Sequence, residues 1–256
     1  FHNCDYDFTQ LALQIVNEGV KEGKLVYQED QFKIGYCSHL IARINSLLFN
    51  PIFKTALGIG VKGKKDLIDE INKFLSGSEK ILRIGFEKLP YDFAIRELTM
   101  DFISKSLLIK ARNGDFVTSP AVLFIDEAHQ FLDKRVNADD NSIFSLSNVD
   151  LIAKECRKYG LFLCLSTQMP KDIPAGTLSQ MGSFIVHRLI NEQDKRAVEN
   201  AATSANRSVL SFLPALGEGE AILVGVEFPM PLLVKVGIPI NPPKSNTPRF
   251  NRIVVP

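Results

Sequence analysis

An α/β fold, with a mostly parallel sheet flanked by helices, is the class this sequence predicts, on three observations. Residues 121–125 and 161–165 are uninterrupted apolar runs of strand length, the pattern of strands covered on both faces. A stretch of helical period, 147–159, separates them, so strand, helix and strand alternate as in parallel sheets. Hydrophobic residues make up 45% and charged residues 23% of the 256 positions, an ordinary globular balance that excludes global disorder.

The N-terminal third reads as helical. Thr9 is placed to cap a helix carrying Leu11, Leu13, Ile15 and Val16. Ser38 is placed to cap another, with Leu40, Ile41, Ile44, Leu47 and Leu48 along one face, and Asn50-Pro51 ends it. Residues 66–75 repeat the pattern with Leu67, Ile68, Ile71, Phe74 and Leu75, and Gly77 is the expected C-cap. A short apolar run at 81–86 and Leu89-Pro90 come next, followed by a long helical pattern over 91–110. That pattern ends at the turn residues Asn113-Gly114-Asp115.

In the second half, Ser147-x-x-Asp150 reads as a capping box and Gly160 as the stop of the same helix. Residues 184–189 read as a third buried strand. After Gly217-Glu218-Gly219, alternating runs at 221–226 and 232–238 bracket Pro229-Met230-Pro231 and predict a C-terminal β-hairpin at the sheet's edge. The last stretch, 241–256, holds four prolines and three basic residues and reads as an extended tail. The expected organisation is a helical segment over 1–80, an α/β core over 81–240 and that tail.

The net charge of +1 excludes a strongly basic nucleic-acid coat and leaves room for a local basic patch. Cys4, Cys37, Cys156 and Cys164 show no CxxC pairing and the four histidines are scattered. That spacing reads as reduced, buried thiols of a cytoplasmic protein, not as a zinc site. No apolar run reaches the roughly 18 residues that span a bilayer.

The strongest chemical signal is Val122-Leu-Phe-Ile-Asp-Glu-Ala-His129. It sets two carboxylates at the C-terminal tip of a strand, the edge where ligands bind in open α/β sheets. A nucleotide hydrolase needs that pair. Asp126 would hold Mg²⁺, directly or through water, and Glu127 would polarise the attacking water. The second strand ends in Ser166-Thr167-Gln168, a polar tip suited to sensing a γ-phosphate or simply to starting a loop. Arg157, near a helix end, suits an arginine finger for a neighbouring subunit, and equally a cation favoured by the helix dipole. Arg188 is a second, weaker candidate of the same kind.

A phosphate-binding loop is the missing part. Gly58 to Lys65 approximates GxxxxGK[ST], but Lys65 stands where a hydroxyl should meet Mg²⁺, so a basic surface turn is the better reading.

Several motifs together resemble HerA-type ATPases, the hexameric DNA translocases of the HerA/FtsK superfamily. Besides Val122 to His129 they are Ala153-Lys-Glu-Cys-Arg-Lys-Tyr-Gly160, Leu165-Ser-Thr-Gln-Met-Pro170 and Leu178-Ser-Gln180. His187-Arg-Leu-Ile-Asn191 and Leu216-Gly-Glu-Gly-Glu-Ala221 complete the set. The resemblance is strong over 121–238 and looser upstream, where 1–80 would be a helical insertion of the ATPase. It implies a RecA-like P-loop NTPase core, with the P-loop and a small β-barrel encoded upstream of Phe1.

It implies Asp126 as the Walker B carboxylate near Mg²⁺, Glu127 as base, Gln168 as sensor with Thr167 beside it, and Arg157 acting in trans. Met169-Pro170 departs from the family's usual Arg-Pro, which puts an arginine role at that position in doubt. ATP and Mg²⁺ are the implied cofactors. A homo-hexamer, double-stranded DNA and a nuclease (NurA-like) or a sirtuin-like or nuclease effector are the implied partners, with no membrane. Lys134 and Arg135, in the loop after the carboxylates, would face the DNA, or form a solvated loop. The implied function is DNA end processing or phage defence. The alternatives are a ring scaffold that regulates a partner enzyme and an FtsK- or conjugation-type DNA pump.

Overall fold

A computed structural model describes residues 7–21, 28–56, 66–89, 91, 94–132, 148–202 and 210–241. The chain divides into two compact units, 1–109 and 110–256.

The first unit is helical. Helix α1 (Leu11–Glu18) and helix α2 (Gln31–Phe49) flank a short antiparallel pair, β1 (Val20–Lys21) and β2 (Gln28–Glu29). Ala12, Ile44 and Leu48 form their shared core, with Leu11, Ile15 and Ile41 packed against it. Neither predicted cap holds. Thr9 gives both its N–H and its hydroxyl to Asp7 Oδ1 (2.9 and 2.6 Å), which ties up a 3₁₀ turn ahead of α1. Ser38 lies inside α2, because Asp30 caps that helix earlier by accepting from Phe32 N and Lys33 N.

Asn50 does end α2, and helix α3 (Pro51–Ala56) begins at the proline. Helix α4 (Leu67–Ser76) falls within one residue of the expected 66–75, with Asp66 accepting from Ile68 N at 2.7 Å and Gly77 at its C-cap. The apolar run at 81–86 has no ladder among the described residues, and Ile81 is solvent-exposed. Helix α5 (Ile95–Arg112) then crosses the boundary between the units.

In the second unit, β3 (Ala121–Ile125) and β4 (Leu161–Leu165) are parallel, paired from Ala121↔Leu161 to Ile125↔Leu165. Helix α6 (Asn148–Glu155) and a 3₁₀ turn (Cys156–Tyr159) lead into β4. The expected Ser147 cap lies outside the described residues. Gly160 (φ 84°) makes the entry to β4 possible, since a Cβ there would lie 2.2 Å from the Phe116 carbonyl oxygen. Helix α7 (Ala175–Leu178) is a single turn.

Strand β5 (Ser183–Val186) then pairs with β6 (Glu220–Gly225), and β6 with β7 (Leu232–Lys235), all antiparallel. Helix α8 (Glu192–Ala201) precedes β6. Val198 and Ala202 at the end of α8 join Leu210, Leu213, Leu216, Ile222 and Val224 in one core.

The mostly parallel sheet is therefore corrected. Among the described residues only β3–β4 is parallel, and the third strand belongs to an antiparallel sheet. Its residues alternate, with Ser183 and Ile185 exposed against Phe184 and Val186 turned inward, which suits a one-faced antiparallel strand. No helix among the described residues is long and apolar enough to cross a membrane. Nearly all of the predicted tail lies outside them.

Candidate functional site

Because β3 and β4 are parallel, their C-terminal tips meet at one edge. The pairing continues beyond the strands. Ser166 N donates to Ile125 O (2.9 Å) and Ala128 N donates to Ser166 O (2.8 Å). These two bonds hold Asp126 and Glu127 beside the segment Ser166-Thr167-Gln168. Glu127 takes φ 48° and ψ 46°, a left-handed conformation that costs a residue with a side chain about 1–3 kcal/mol. Asp126 Oδ1 accepts the Glu127 N–H at 3.1 Å and closes this turn.

The turn aims the Glu127 carboxylate across at β4. Gln168 Nε2 donates to Glu127 Oε1 at 2.6 Å. The second oxygen, Oε2, is buried without a hydrogen-bond partner and lies 3.3 Å from His129 Nδ1. That ring nitrogen is also 3.2 Å from Thr167 Oγ1, which accepts the N–H of Met169 at 3.0 Å. The loop beyond Gln168 is pinned as well. Lys171 N donates to Asp194 Oδ1 (3.1 Å), a buried carboxylate in the first turn of α8.

The donor set fits a hydrated divalent cation. Asp126 is exposed, and its Oδ2 has no protein partner among the described residues. A carboxylate so placed suits Mg²⁺, which binds through one or two carboxylates and keeps several waters. Among the described residues there is no cluster of three or more His, Cys, Asp or Glu to hold a metal without water or substrate.

Four predicted residues thus come together: Asp126, Glu127, Thr167 and Gln168. Arg157 does not join them. It is exposed on the 3₁₀ turn before β4, so the length of the strand, about 13 Å, separates it from the carboxylate edge. There it lines a cleft of about 320 Å³ with Leu161 and Phe162 of β4 and with Gly182 and Ser183. Arg188 is exposed just past β5 and makes no hydrogen bond or ion pair with the cluster. Lys134, Arg135 and the approximate P-loop at 58–65 lie outside the described residues.

Two contributors were not singled out from the sequence. His129 stands in the same run as the carboxylates, two residues on from Glu127, and only the turn shows that it faces back. Asp194 looks like an ordinary acidic residue in a helix's first turn.

The chain is therefore an α/β protein with an acidic pair and a facing glutamine at the tips of two parallel strands. Residues 107–250, more than half of the chain, match the family described as Helicase HerA-like C-terminal, and the chain belongs to that family. The match spans the segment whose motifs carry the resemblance.

A probable helicase of Methanocaldococcus jannaschii is 32% identical over 182 residues, covering 68% of this chain and 34% of the relative. The probable DNA double-strand break repair helicase HerA of the same organism is 30% identical over 164 residues, covering 64% and 32%. The DNA double-strand break repair helicase HerA of Sulfurisphaera tokodaii is 26% identical over 238 residues, covering 88% and 46%. The aligned part thus spans between 32% and 46% of these relatives' lengths. Among solved structures, the DNA-packaging ATPase of Sulfolobus turreted icosahedral virus superposes with a TM-score of 0.46 at 14% identity, over 64% of this chain and 70% of that one. A likeness of that size adds nothing to the assignment.

Proposed function

We propose that this chain is the carboxylate-bearing part of a subunit of an ATP-driven, HerA-type double-stranded DNA translocase or helicase. The observation that carries the reading is the Gln168–Glu127 hydrogen bond across two parallel strand tips, beside the exposed Asp126. In this reading Asp126 holds hydrated Mg²⁺, which when bound offsets the charge of the ATP phosphates. Glu127 orients the attacking water and accepts its proton. Gln168, with Thr167 beside it, exchanges its bond to Glu127 for one to the γ-phosphate or the water.

The core is RecA-like, with the ATP phosphates held by a P-loop. Arg157, exposed at the edge away from its own Glu127, serves a neighbour's ATP in a ring of six, with Arg188 as the weaker candidate. Lys134 and Arg135 contact the DNA backbone. A NurA-like nuclease, or a sirtuin-like or nuclease effector, works beside the ring. The names of the relatives, DNA double-strand break repair helicases, support the DNA substrate.

The test is DNA-stimulated ATP hydrolysis by the full-length protein. Glu127→Gln is expected to lower kcat by about 10²- to 10⁴-fold, the usual contribution of a general base, while ATP binding persists. An unchanged kcat would refute the assignment. In the same assay, mixing Arg157→Ala with Glu127→Gln subunits restores part of the activity if the arginine acts in trans, and none if it does not.

A further inference from the structure

We propose that His129 is a positioning residue for Glu127. Its Nδ1, hydrogen-bonded to Thr167, lies against the buried carboxylate oxygen and holds it by the electrostatic attraction of an N–H edge. The inference rests on the hydrolase reading above and adds to it a residue that touches neither nucleotide nor water.

Glu127 presents two unequal oxygens. Oε1 is tied by Gln168, whereas Oε2 is buried and has no hydrogen-bond partner. A buried carboxylate oxygen left without a donor is costly, so the group nearest to it matters. That group is His129 Nδ1, at 3.3 Å from Oε2 and 3.2 Å from Thr167 Oγ1.

Two proton arrangements are open to this trio. If Nδ1 is bare, the Thr167 hydroxyl donates to it, and a nitrogen lone pair then faces the carboxylate oxygen. If Nδ1 carries hydrogen, the proton points at Oγ1 and its positive edge lies beside Oε2, 3.3 Å away. Only the second sets a donor rather than a lone pair next to Oε2. Thr167 Oγ1 remains an acceptor in it, as its bond from Met169 N also requires.

The consequence is mechanical. Glu127 sits on a left-handed turn, where the backbone alone does not hold the side chain against β4. Gln168 at the β4 tip fixes one oxygen, and His129, itself bonded to Thr167 of that tip, lies against the other. When Gln168 turns toward the phosphate, His129 is the hold that remains. Losing it should misplace the base without touching ATP affinity.

Steady-state ATP hydrolysis by the full-length protein separates this from a packing role. His129→Asn places an amide nitrogen close to the Nδ1 position, and His129→Gln places it close to the Nε2 position. The expected result is a kcat lowered about 10- to 100-fold in His129→Ala and His129→Gln, with KM unchanged, as for other outer-shell partners. His129→Asn should recover most of that loss.

Equal losses in the Asn and Gln variants, or a loss that follows the fall in Tm, would show a merely structural histidine and overturn the inference. The Asn–Gln contrast decides the matter even where the alanine variant fails to fold. A full kcat in His129→Ala, alongside the expected Glu127→Gln loss, overturns this inference alone. No hydrolysis by the unsubstituted protein overturns both readings.

Discussion

Strand β6 buries Ile222 and Val224 to about 1% exposure each, under Leu210 and Leu213, whereas β3 leaves Val122 and Phe124 64% and 60% exposed. Both strands are apolar and both lie in the second unit. One face of the antiparallel sheet is closed by its own chain, because α8 and the segment around 210–216 return over it, while Ile185 and Leu232 are exposed on the other. The parallel pair has one face that nothing among the described residues covers. Parallel strands ordinarily sit between two helical layers. Each sheet thus has one finished face: Ile125 and Leu161 of the parallel pair are as deeply buried as Ile222 and Val224, beside Ile152. The chemistry sits at the tips of the pair, where the cross-strand bonds and the buried Ile125 and Ala128 hold it in place.

Removing a side chain from the complete core is the largest test of that contrast. Ile222→Ala should cost about 2–5 kcal/mol in denaturant unfolding, since it opens a cavity where nothing can collapse inward. Gly160→Ala comes next, at about 1–3 kcal/mol, from a left-handed φ and the collision with the Phe116 carbonyl at the start of β4. Phe124→Ser should change stability by less than about 0.5 kcal/mol, because the ring is already largely in water. A Phe124→Ser loss as large as that of Ile222→Ala would break the comparison and mean that the outer face is covered.

The acidic strand tip was legible in the sequence because local pattern determines it. An apolar run of fixed length ends where Asp126 begins, and the same rule sets Gln168 at the tip of β4. Helix α4 was legible for a similar reason, with Asp66 and Gly77 marking both ends. Ser38 misled because Asp30 lies at the true start of α2, and Thr9 because Asp7 ties it into the 3₁₀ turn, leaving Gln10 at the N-cap of α1 without a side-chain bond. The direction of β5 was not legible. An apolar segment of four residues fits either sheet, and its partner β6 lies more than thirty residues downstream. His129 was hidden because its role depends on the backbone of Glu127 reversing direction, which no spacing rule announces. The thiols were misjudged in part. Cys156 is buried as expected, but Cys37 is half-buried and Cys164 is exposed.

Cys156, on the 3₁₀ turn before β4, and Cys164, on β4, give the mildest probe of the same contrast. Burial pushes the Cys156 thiol up, aided by Glu155 and opposed by Arg112 and Lys158, and burial alone pushes up Cys164. The thiolate is the reactive form, so both should alkylate slowly at neutral pH. Cys164 lies on the open face of β4, and its labelling rate should rise about tenfold per pH unit until its raised value is passed. Cys156 is closed off completely and should stay unlabelled at any pH where the fold persists. The folded chain also keeps thiol protons that the unfolded chain releases. Stability from these two groups is therefore intact below the ordinary value of 9.0 and declines as pH rises through the folded values. Site-resolved mass spectrometry of alkylated protein reads both rates at once. If Cys164 labels only when the chain unfolds, the outer face of the parallel pair is occupied, and the contrast between the covered face of β6 and the open face of β3 no longer holds.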